Sequence, residues 1–268
     1  VGWVSNQNIS FISIEPLTKQ VGKGAWVKDN YGYWYRHFDG TYTRSDWELI
    51  DGYWYYFDEQ GYRKTGFLTL GTKKYYLDET SGIMATGFAK VNGKIYHFDA
   101  YGAMSGGWFQ VNNEWYWAND DGSLKIGWHE YSGRKYYFDD SGMMKKGWVY
   151  TNNQYQYLND FGIQQFNWIV VNGKDYYLGT DGNMKVGWVY YGNYYYYLDE
   201  NGLITKGWKL INGSWYYLDP FGHMLTGWQK INGYWYYLGE ATDGSMKTGT
   251  ISIGGRYYTF NNGGVLVS

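Results

Sequence analysis

Residues 207–226 read GWKLINGSWYYLDPFGHMLT, in which two short runs of aromatic and branched residues flank Asn212-Gly213. Asn-Gly tolerates the positive φ that both central residues of a type I′ turn require, so the segment predicts a β-hairpin. The second run ends in Asp219-Pro-Phe-Gly222, where Asp can bond backbone groups and Gly can adopt a left-handed turn. No segment of the chain shows the 3.6-residue period or the capping signals of a helix. The unit is a hairpin followed by a loop.

This unit recurs along almost the whole chain of 268 residues. A repeat aromatic residue, nearly always behind a glycine, returns about every 20 residues, at Trp26, Trp47, Phe67, Phe88, Trp108, Trp128, Trp148, Trp168, Trp188, Trp208 and Trp228. So regular a period indicates a stack of small equal units rather than one enzyme fold with one active site. Because a lone hairpin is barely stable in water, neighbouring hairpins must stack. The predicted fold is all-β, a β-solenoid of stacked β-hairpins with one hairpin per repeat of about 20 residues.

Positions within a repeat are counted from its aromatic residue, so that Trp215 is at +7 and Tyr217 at +9 after Trp208. The two-residue turn predicts a register in which Trp208 faces Tyr217 and Leu210 faces Trp215. Since side chains alternate between the faces of a strand, these four residues share one face of the hairpin.

The +8 and +10 positions are nearly uniform, and we interpret both as the stacking core of the solenoid. The +8 residues are Tyr55, Tyr75, Tyr96, Tyr116, Tyr136, Tyr176, Tyr196, Tyr216 and Tyr236. The +7 position is not uniform. It is aromatic in some repeats, whereas other repeats have Lys74, Ile95, Lys135 or Asp175 there. A deeply buried, unpaired charge is too costly, so the +7 position must lie at the surface. An exposed aromatic cluster there indicates that something docks on it.

Composition excludes several classes of function. The chain has no cysteine, which removes disulfides and thiolate chemistry, and its net charge of −2 argues against nucleic acid. No apolar run approaches the ~18 residues of a membrane helix, so no membrane insertion is expected. The first residues do not resemble a signal peptide, so any export signal is expected to lie outside this chain.

We predict no catalysis and no cofactor. The four histidines, His37, His97, His129 and His223, fall in no metal-ligand pattern and beside no serine nucleophile motif. The carboxylates mostly occupy the repeated turn, where a structural role explains them. The chain is therefore interpreted as a binding module, which can be the targeting part of a larger wall hydrolase.

Three rings that converge between successive hairpins would form an aromatic cage, which suits a quaternary ammonium group held against the negative ring faces. Flat aromatic surfaces can alternatively stack on sugar rings. At ~0.5–2 kcal/mol per ring, one cage gives about millimolar affinity. Several cages spaced along a polymer gain ~10²–10⁴ through multivalency.

The unit Gly-Trp-x5-6-Trp/Tyr-Tyr-Tyr-Leu/Phe-Asp-x-x-Gly-x-Met resembles the choline-binding, or cell-wall-binding, repeat of Gram-positive surface proteins, autolysins and phage lysins. The resemblance covers about residues 25–268. It implies a hairpin solenoid that binds choline or phosphocholine of teichoic and lipoteichoic acids between consecutive repeats. It also implies an extracellular, cell-surface or wall-associated location, with a phage lysin as another source.

Carried over to this chain, the resemblance implies that each cage uses a repeat Trp, the aromatic residues of the strand that follows it, the next repeat Trp and often a Met. The candidate ligand-binding residues are Trp47, Trp54, Tyr56, Trp108, Trp115, Trp117, Trp128, Trp148, Tyr155, Tyr157, Trp168, Trp188, Tyr195, Tyr197, Trp208, Trp215, Tyr217, Trp228, Trp235, Tyr237, Met144, Met184 and Met224. Met184 is expected near the Trp188 cage, and Met224 after the Trp208 cage. Gap-filling between turns is an equal interpretation of the methionines.

Departures from the motif keep a second ligand class open. Lys74, Ile95, Lys135 and Asp175 interrupt the cage position, and residues 133–139 (GRKYYFD) resemble related glucan- and oligosaccharide-binding repeats. The first hypothesis is therefore a choline-binding wall-attachment module. The alternative is a glucan- or oligosaccharide-binding module that uses the same rings for sugar stacking.

The chain ends depart from the repeat. Residues 1–24 are interpreted as a degenerate first repeat or the tail of a preceding domain, 25–248 as tandem repeats, and 249–268 as a C-terminal cap. Solenoids need atypical terminal repeats to close the stack. Because exposed caps tend to self-associate, we hypothesise a homodimer through 249–268.

Overall fold

The computed structural model describes residues 24–268, which form twelve antiparallel hairpins from 24 strands. The predicted all-β class with one hairpin per repeat is confirmed, and the structure shows no helix in residues 24–268. The strands are β1 Gly24–Lys28, β2 Tyr33–His37, β3 Asp46–Ile50, β4 Tyr53–Phe57, β5 Gly66–Leu70, β6 Lys73–Leu77, β7 Gly87–Val91, β8 Lys94–Phe98, β9 Gly107–Val111, β10 Glu114–Ala118, β11 Gly127–Tyr131, β12 Arg134–Phe138, β13 Gly147–Thr151, β14 Gln154–Leu158, β15 Asn167–Val171, β16 Lys174–Leu178, β17 Gly187–Tyr191, β18 Tyr194–Leu198, β19 Gly207–Ile211, β20 Ser214–Leu218, β21 Gly227–Ile231, β22 Tyr234–Leu238, β23 Gly249–Ile253 and β24 Arg256–Phe260.

The hairpin turns have the predicted chemistry. Asn212 has φ 47° and Gly213 has φ 83°, so both central residues take the positive values of a type I′ turn. The register follows, with Trp208 opposite Tyr217 and Leu210 opposite Trp215. The face that carries these residues is called the outer face below.

The loop after each hairpin is held by its aspartate. Asp219 Oδ1 accepts the backbone N–H of Phe221 and of His223, each at 2.8 Å. Gly222 has φ 88°, a left-handed value that its lack of a Cβ permits. The interpretation of the repeated Asp as a turn residue is supported by this geometry.

The core lies on the inner face, at the +10 position as predicted. Its residues are 0–3% exposed: Phe57, Leu77, Phe98, Ala118, Phe138, Leu158, Leu178, Leu198, Leu218 and Leu238. Burial of such a side chain stabilises by ~1.5–3 kcal/mol, and the repeat supplies it once per hairpin.

Within each of the two compact units described below, backbone hydrogen bonds join successive hairpins. A loop residue near +16 bridges the +10 residue of its own repeat, as Met224 does with Leu218. The N–H of the same Met224 donates to the carbonyl of Tyr195, at +7 of the preceding repeat, at 2.8 Å. We call this the loop-bridge position. It fixes how one hairpin lies on its neighbour.

The chain divides into two compact units, Val1–Lys145 and Lys146–Ser268. The described part of the first contains β1 to β12 and a buried pair, His37 Nε2 and Glu48 Oε1, at 2.8 Å. The second contains β13 to β24. Its terminal hairpin, β23–β24, keeps the loop-bridge bond, because Leu266 N–H donates to the Trp235 carbonyl at 2.9 Å. Of residues 1–24, interpreted as a degenerate first repeat or the tail of a preceding domain, all but Gly24 lie outside the described residues.

Candidate functional site

Each repeat Trp lies on the outer face, where the +9 ring of its own hairpin supports it. In the hairpin β19–β20, the ring centroids of Trp208 and Tyr217 are 5.2 Å apart at an interplanar angle of 73°. The cross-strand register produces this pair, and edge-to-face contacts of this kind are favourable. The predicted pairs Trp47–Tyr56, Trp148–Tyr157 and Trp188–Tyr197 have the same form.

For most repeat Trp residues, the next repeat brings a tyrosine from its +8 position to the Trp ring. The centroid of Tyr236 is 4.9 Å from that of Trp208, and Tyr216 is 4.9 Å from Trp188. The same contact joins Trp47 to Tyr75, Trp108 to Tyr136, Trp148 to Tyr176, Trp168 to Tyr196 and Trp228 to Tyr258. The sequence analysis missed these rings, because it assigned the +8 position to the core alone.

The +7 ring forms a third wall. Trp115 stands at 87° to Trp108 with centroids 6.0 Å apart, and Tyr155 stands at 89° to Trp148 at 6.4 Å. Trp235 stands at 83° to Trp228 at 6.3 Å. We define three corner cages from these contacts: Trp108, Trp115 and Tyr136; Trp148, Tyr155 and Tyr176; and Trp228, Trp235 and Tyr258. In each, two walls come from one hairpin and one from the next.

The +7 rings are exposed, as predicted for this position. Trp115, Tyr155 and Trp235 are 40%, 48% and 46% exposed, whereas Tyr136 is buried. The cage of Trp108 therefore combines a buried inner ring with an exposed +7 ring, whereas Tyr176 and Tyr258 of the other two cages are half-buried. Lys74 and Lys135 occupy the same position elsewhere and are exposed too.

In three further predicted sets, the +7 residue and the repeat Trp share the outer face of their hairpin, as they do in the corner cages. The +7 residues Trp54, Tyr195 and Trp215 share the outer face with the repeat residues Trp47, Trp188 and Trp208. Trp215 is 42% exposed. The following-repeat ring in these sets is Tyr75, Tyr216 or Tyr236.

The closure of each cage by the next repeat Trp stays a prediction. The ring that the next repeat brings to Trp188 is Tyr216, whereas Trp208 packs between Tyr217 and Tyr236. Trp128 and Trp168, expected to follow the Trp108 and Trp148 sets, contact Tyr137 and Tyr177 of their own hairpins.

Two of the predicted ligand residues have other partners. Tyr237 is buried, contacts Trp228 at 5.3 Å and donates its hydroxyl hydrogen bond to Glu240, which raises the pKa of Tyr237 to about 12. Trp117 contacts His129 at 4.4 Å and Tyr131 at 4.9 Å, besides its partner Trp108. Both rings pack against the repeat Trp of their own hairpin, and their role in binding stays a prediction.

The methionines lie at the loop-bridge position, which places Met184 two repeats and Met224 one repeat before the sets in which they were expected. Met184 N–H donates to the carbonyl of Tyr155, and Met224 N–H to that of Tyr195. Met184 therefore belongs with the Trp148 set and Met224 with the Trp188 set. Met144 bonds Trp115 in the same way.

The methionine side chains also fill space beside the following loop. A Cβ added to Gly202 would lie 2.6 Å from Met184 Sδ, and one added to Gly244 would lie 2.4 Å from Met224 Sδ. These contacts thus support a gap-filling role for Met184 and Met224. Their role as a cage wall stays a prediction.

Acid should weaken the packing behind the Trp108 cage. Burial holds the pKa of His129 below its usual value, with Lys125 adding to the effect, so the ring is neutral against Trp117. Its folded-state pKa is lower than its unfolded one, so the stabilisation is present above about pH 6.5 and is lost as the pH falls. We expect the urea midpoint to drop more between pH 7 and pH 5 in the wild type than in His129→Phe. An equal drop in both would contradict this role.

Other chemistry finds little support in the described part of the chain. In residues 24–268 no three His, Asp or Glu side chains gather as a metal site. No helix in that range has the length and hydropathy to cross a membrane. Rings on the outer face are the feature that remains.

Comparisons with known proteins give consistent matches along the chain. The family model for the choline-binding repeat matches residues 44–86, 205–247 and 225–268. The model for a cell wall binding repeat matches residues 86–104, 106–124, 126–144, 167–184 and 186–204. A search of curated proteins gave no match.

Solved structures share the fold. CbpJ from Streptococcus pneumoniae is 27% identical with a TM-score of 0.62, and the match covers 91% of this chain and 100% of that one. Choline binding protein F from S. pneumoniae, solved in the presence of a peptidoglycan analogue, is 28% identical with a TM-score of 0.59, over 91% and 99% of the two chains. The modular autolysin LytC from S. pneumoniae matches at 23% identity and a TM-score of 0.57, over 91% of this chain and 52% of its own.

Proposed function

Because the chain belongs to the family of choline-binding repeat proteins, we propose that it is a cell-wall-binding module that holds choline in the cages between successive hairpins. Its polymer partner is choline-bearing teichoic or lipoteichoic acid, and its place is outside the cell, at the wall. It carries no catalytic role of its own and can serve as the targeting part of a larger protein. Dimerisation through residues 249–268 stays a prediction.

The observation that carries the proposal is the mutual orientation of rings in the corner cages. Trp108 meets Trp115 at 87° and Tyr136 at 73°, so rings from two successive hairpins gather around one repeat Trp at steep angles to it. A trimethylammonium group has no N–H to donate, spreads its charge over methyl groups, and is stabilised by several ring faces at once. A sugar, which needs one flat face and hydrogen-bonding groups beside it, makes less use of perpendicular walls.

Repetition compensates for weak single sites. Each ring contributes ~0.5–2 kcal/mol, so a three-ring cage has about millimolar affinity for choline. A polymer that engages several cages gains ~10²–10⁴ in apparent affinity. Multivalent attachment to a choline-decorated polymer is therefore the use that fits this chain.

The glucan alternative is not favoured by the family matches. It predicts that the rings act as separate stacking surfaces, with the charged side chains of Lys74, Lys135 and Asp175 bonding hydroxyl groups. Each of these three residues occupies the +7 position of its own repeat, so that repeat lacks the +7 ring of a cage.

The test is retention on a tertiary-amine resin that mimics choline. We expect the protein to bind and to be released by free choline, whereas an equal concentration of 3,3-dimethyl-1-butanol, the uncharged isostere, should release little. This comparison separates a cation–π cage from simple apolar binding. Flow-through on the amine resin with retention on dextran would overturn the choline proposal and support the glucan one.

A further inference from the structure

The first loop-bridge position carries an arginine instead of a methionine. Arg63 bridges Phe57 as Met84 bridges Leu77. Its N–H donates to the Tyr33 carbonyl at 2.7 Å, just as Met84 N–H donates to the Trp54 carbonyl at 2.9 Å. Arg63 is therefore the structural equivalent of the methionines, placed beside the cage position of the first described hairpin.

The rings around Arg63 are those of a cage. Trp26 and Tyr33 lie on one face of the hairpin β1–β2 by register. The next repeat brings Tyr55 to Trp26, with centroids 4.9 Å apart at 67°. The set Trp26, Tyr33 and Tyr55 thus has the register of a corner cage and its contact with the following repeat, and we call it the first cage.

The guanidinium of Arg63 lies over two rings of the first cage. Its central carbon is 4.7 Å from the centroid of Tyr33 and 5.7 Å from that of Trp26. Both distances are within the ~6 Å range of a cation–π contact. Lys28 Nζ lies 5.1 Å from the same Tyr33 ring, so a second cation flanks the first cage.

The following loop holds the Arg63 side chain in this position. Arg63 Nη1 donates to the Ser81 carbonyl at 2.6 Å, and Nη2 donates to the Thr80 carbonyl at 3.0 Å. Gly82 provides the room, since a Cβ there would lie 2.5 Å from Arg63 Cδ. Arg63 Nε is buried and has no hydrogen-bond partner among the described residues, as expected for a group that faces rings. Hydrogen bonds therefore hold Arg63 at its backbone N–H and at its guanidinium group.

We infer that Arg63 is an internal ligand of the first cage and keeps choline out of it. The inference rests on the proposed function, because it assumes that the other cages take a quaternary ammonium group. A guanidinium tethered to the chain competes without losing translational freedom, and a second cation beside it would be repelled. The first cage therefore does not contribute to wall binding in the wild-type protein.

The residue choice at other loop-bridge positions supports this interpretation. Seven loop-bridge residues bond an aromatic +7 residue, and all except Arg63 are neutral: Met84, Met144, Met184, Met224, Met246 and Leu266. Methionine is neutral and flexible, and it leaves the space between the rings available. Arg63 places a positive charge in that space.

The experiment compares crystals of the wild type and of Arg63→Met, each soaked in saturating choline. We expect choline between Trp26, Tyr33 and Tyr55 in Arg63→Met alone, and in the Trp108 corner cage of both proteins. Calorimetric titration should show one more site in Arg63→Met than in the wild type. Arg44→Met is the matched control, because Arg44 lies 4.4 Å over the Tyr42 ring outside any cage and its loss should add no site.

The outcomes separate the two proposals. Choline in the Trp108 cage of both proteins but in the first cage of neither would overturn the role of Arg63 and leave the proposed function standing. Choline in the first cage of the wild type would overturn the role of Arg63 in the same way. No choline in any cage of either protein would overturn the proposed function, and the inference with it. Should Arg63→Met fail to fold, Arg63→Gln keeps a hydrogen-bond donor for the Thr80 carbonyl while removing the charge, and the same criteria apply.

Discussion

Replacing Trp115, Tyr155 and Trp235 together by alanine should lower retention on a choline-bearing polymer by about 10²-fold or more. Each loss removes the exposed wall of one corner cage, worth ~0.5–2 kcal/mol, which weakens that site by about 2- to 30-fold. A polymer that binds several cages at once multiplies these losses. The measurement is the dissociation rate from immobilised choline-bearing teichoic acid, together with the affinity for free choline.

The matched control uses the same structural position in repeats without a +7 ring. Lys74→Ala, Ile95→Ala and Lys135→Ala together should leave retention within about twofold, since surface substitutions away from a site cost little. The urea midpoints of both triple variants should stay near that of the wild type, because exposed rings contribute little to the stack. A comparable loss of retention in both variants would show that the +7 rings do not form the binding wall.

Gly142→Ala should cost about 2–5 kcal/mol of the free energy of unfolding. Gly142 has φ 82°, and a Cβ there would lie 2.7 Å from Leu124 Cδ1 and 2.9 Å from Leu124 Cβ. Leu124 is buried at a loop-bridge position, so its Cβ cannot move away without disturbing the bond from its N–H to the Ile95 carbonyl. The substitution thus adds overlap to left-handed strain. Urea denaturation monitored by tryptophan fluorescence measures the effect.

Gly133 is the control within the same repeat. It has φ 70°, but a Cβ there would meet nothing within 4 Å, so Gly133→Ala carries the backbone cost alone, about 1–2 kcal/mol. The double variant Leu124→Ala with Gly142→Ala should be less destabilised than the sum of the two single variants, since the overlap is then absent. Equal costs for the two glycine variants would show that the contact with Leu124 has no energetic weight.

The hairpin itself was predictable because its signals are local. Asn212-Gly213 fixes both the turn and the register, and alternation along the strand then places Trp208 and Trp215 on one face. The surface location of the +7 position also followed from the sequence, since a position that accepts Trp115 and Lys135 in equivalent units cannot be deep core.

The assembly of the cage was less predictable, because it depends on how one hairpin lies on the next. Tyr136 is buried and uniform across repeats, which is how a core residue looks, yet its ring also touches Trp108 of the preceding hairpin. The loop-bridge bond connects Met184 to Tyr155, 29 positions earlier, so the methionine belongs to a cage that begins one repeat before it. No short motif encodes an offset of that length.

The sharing of each corner cage between two hairpins has a consequence for truncated and duplicated chains. A proteolytic cut that removed β23 and β24 would take away Tyr258 and so abolish the cage of Trp228 and Trp235, although both tryptophans would remain. A terminal hairpin has only part of a site, so a run of repeats holds at most one fewer cage than it has hairpins. Gain or loss of one repeat by unequal recombination would then change binding valency by a single step and leave the other cages intact.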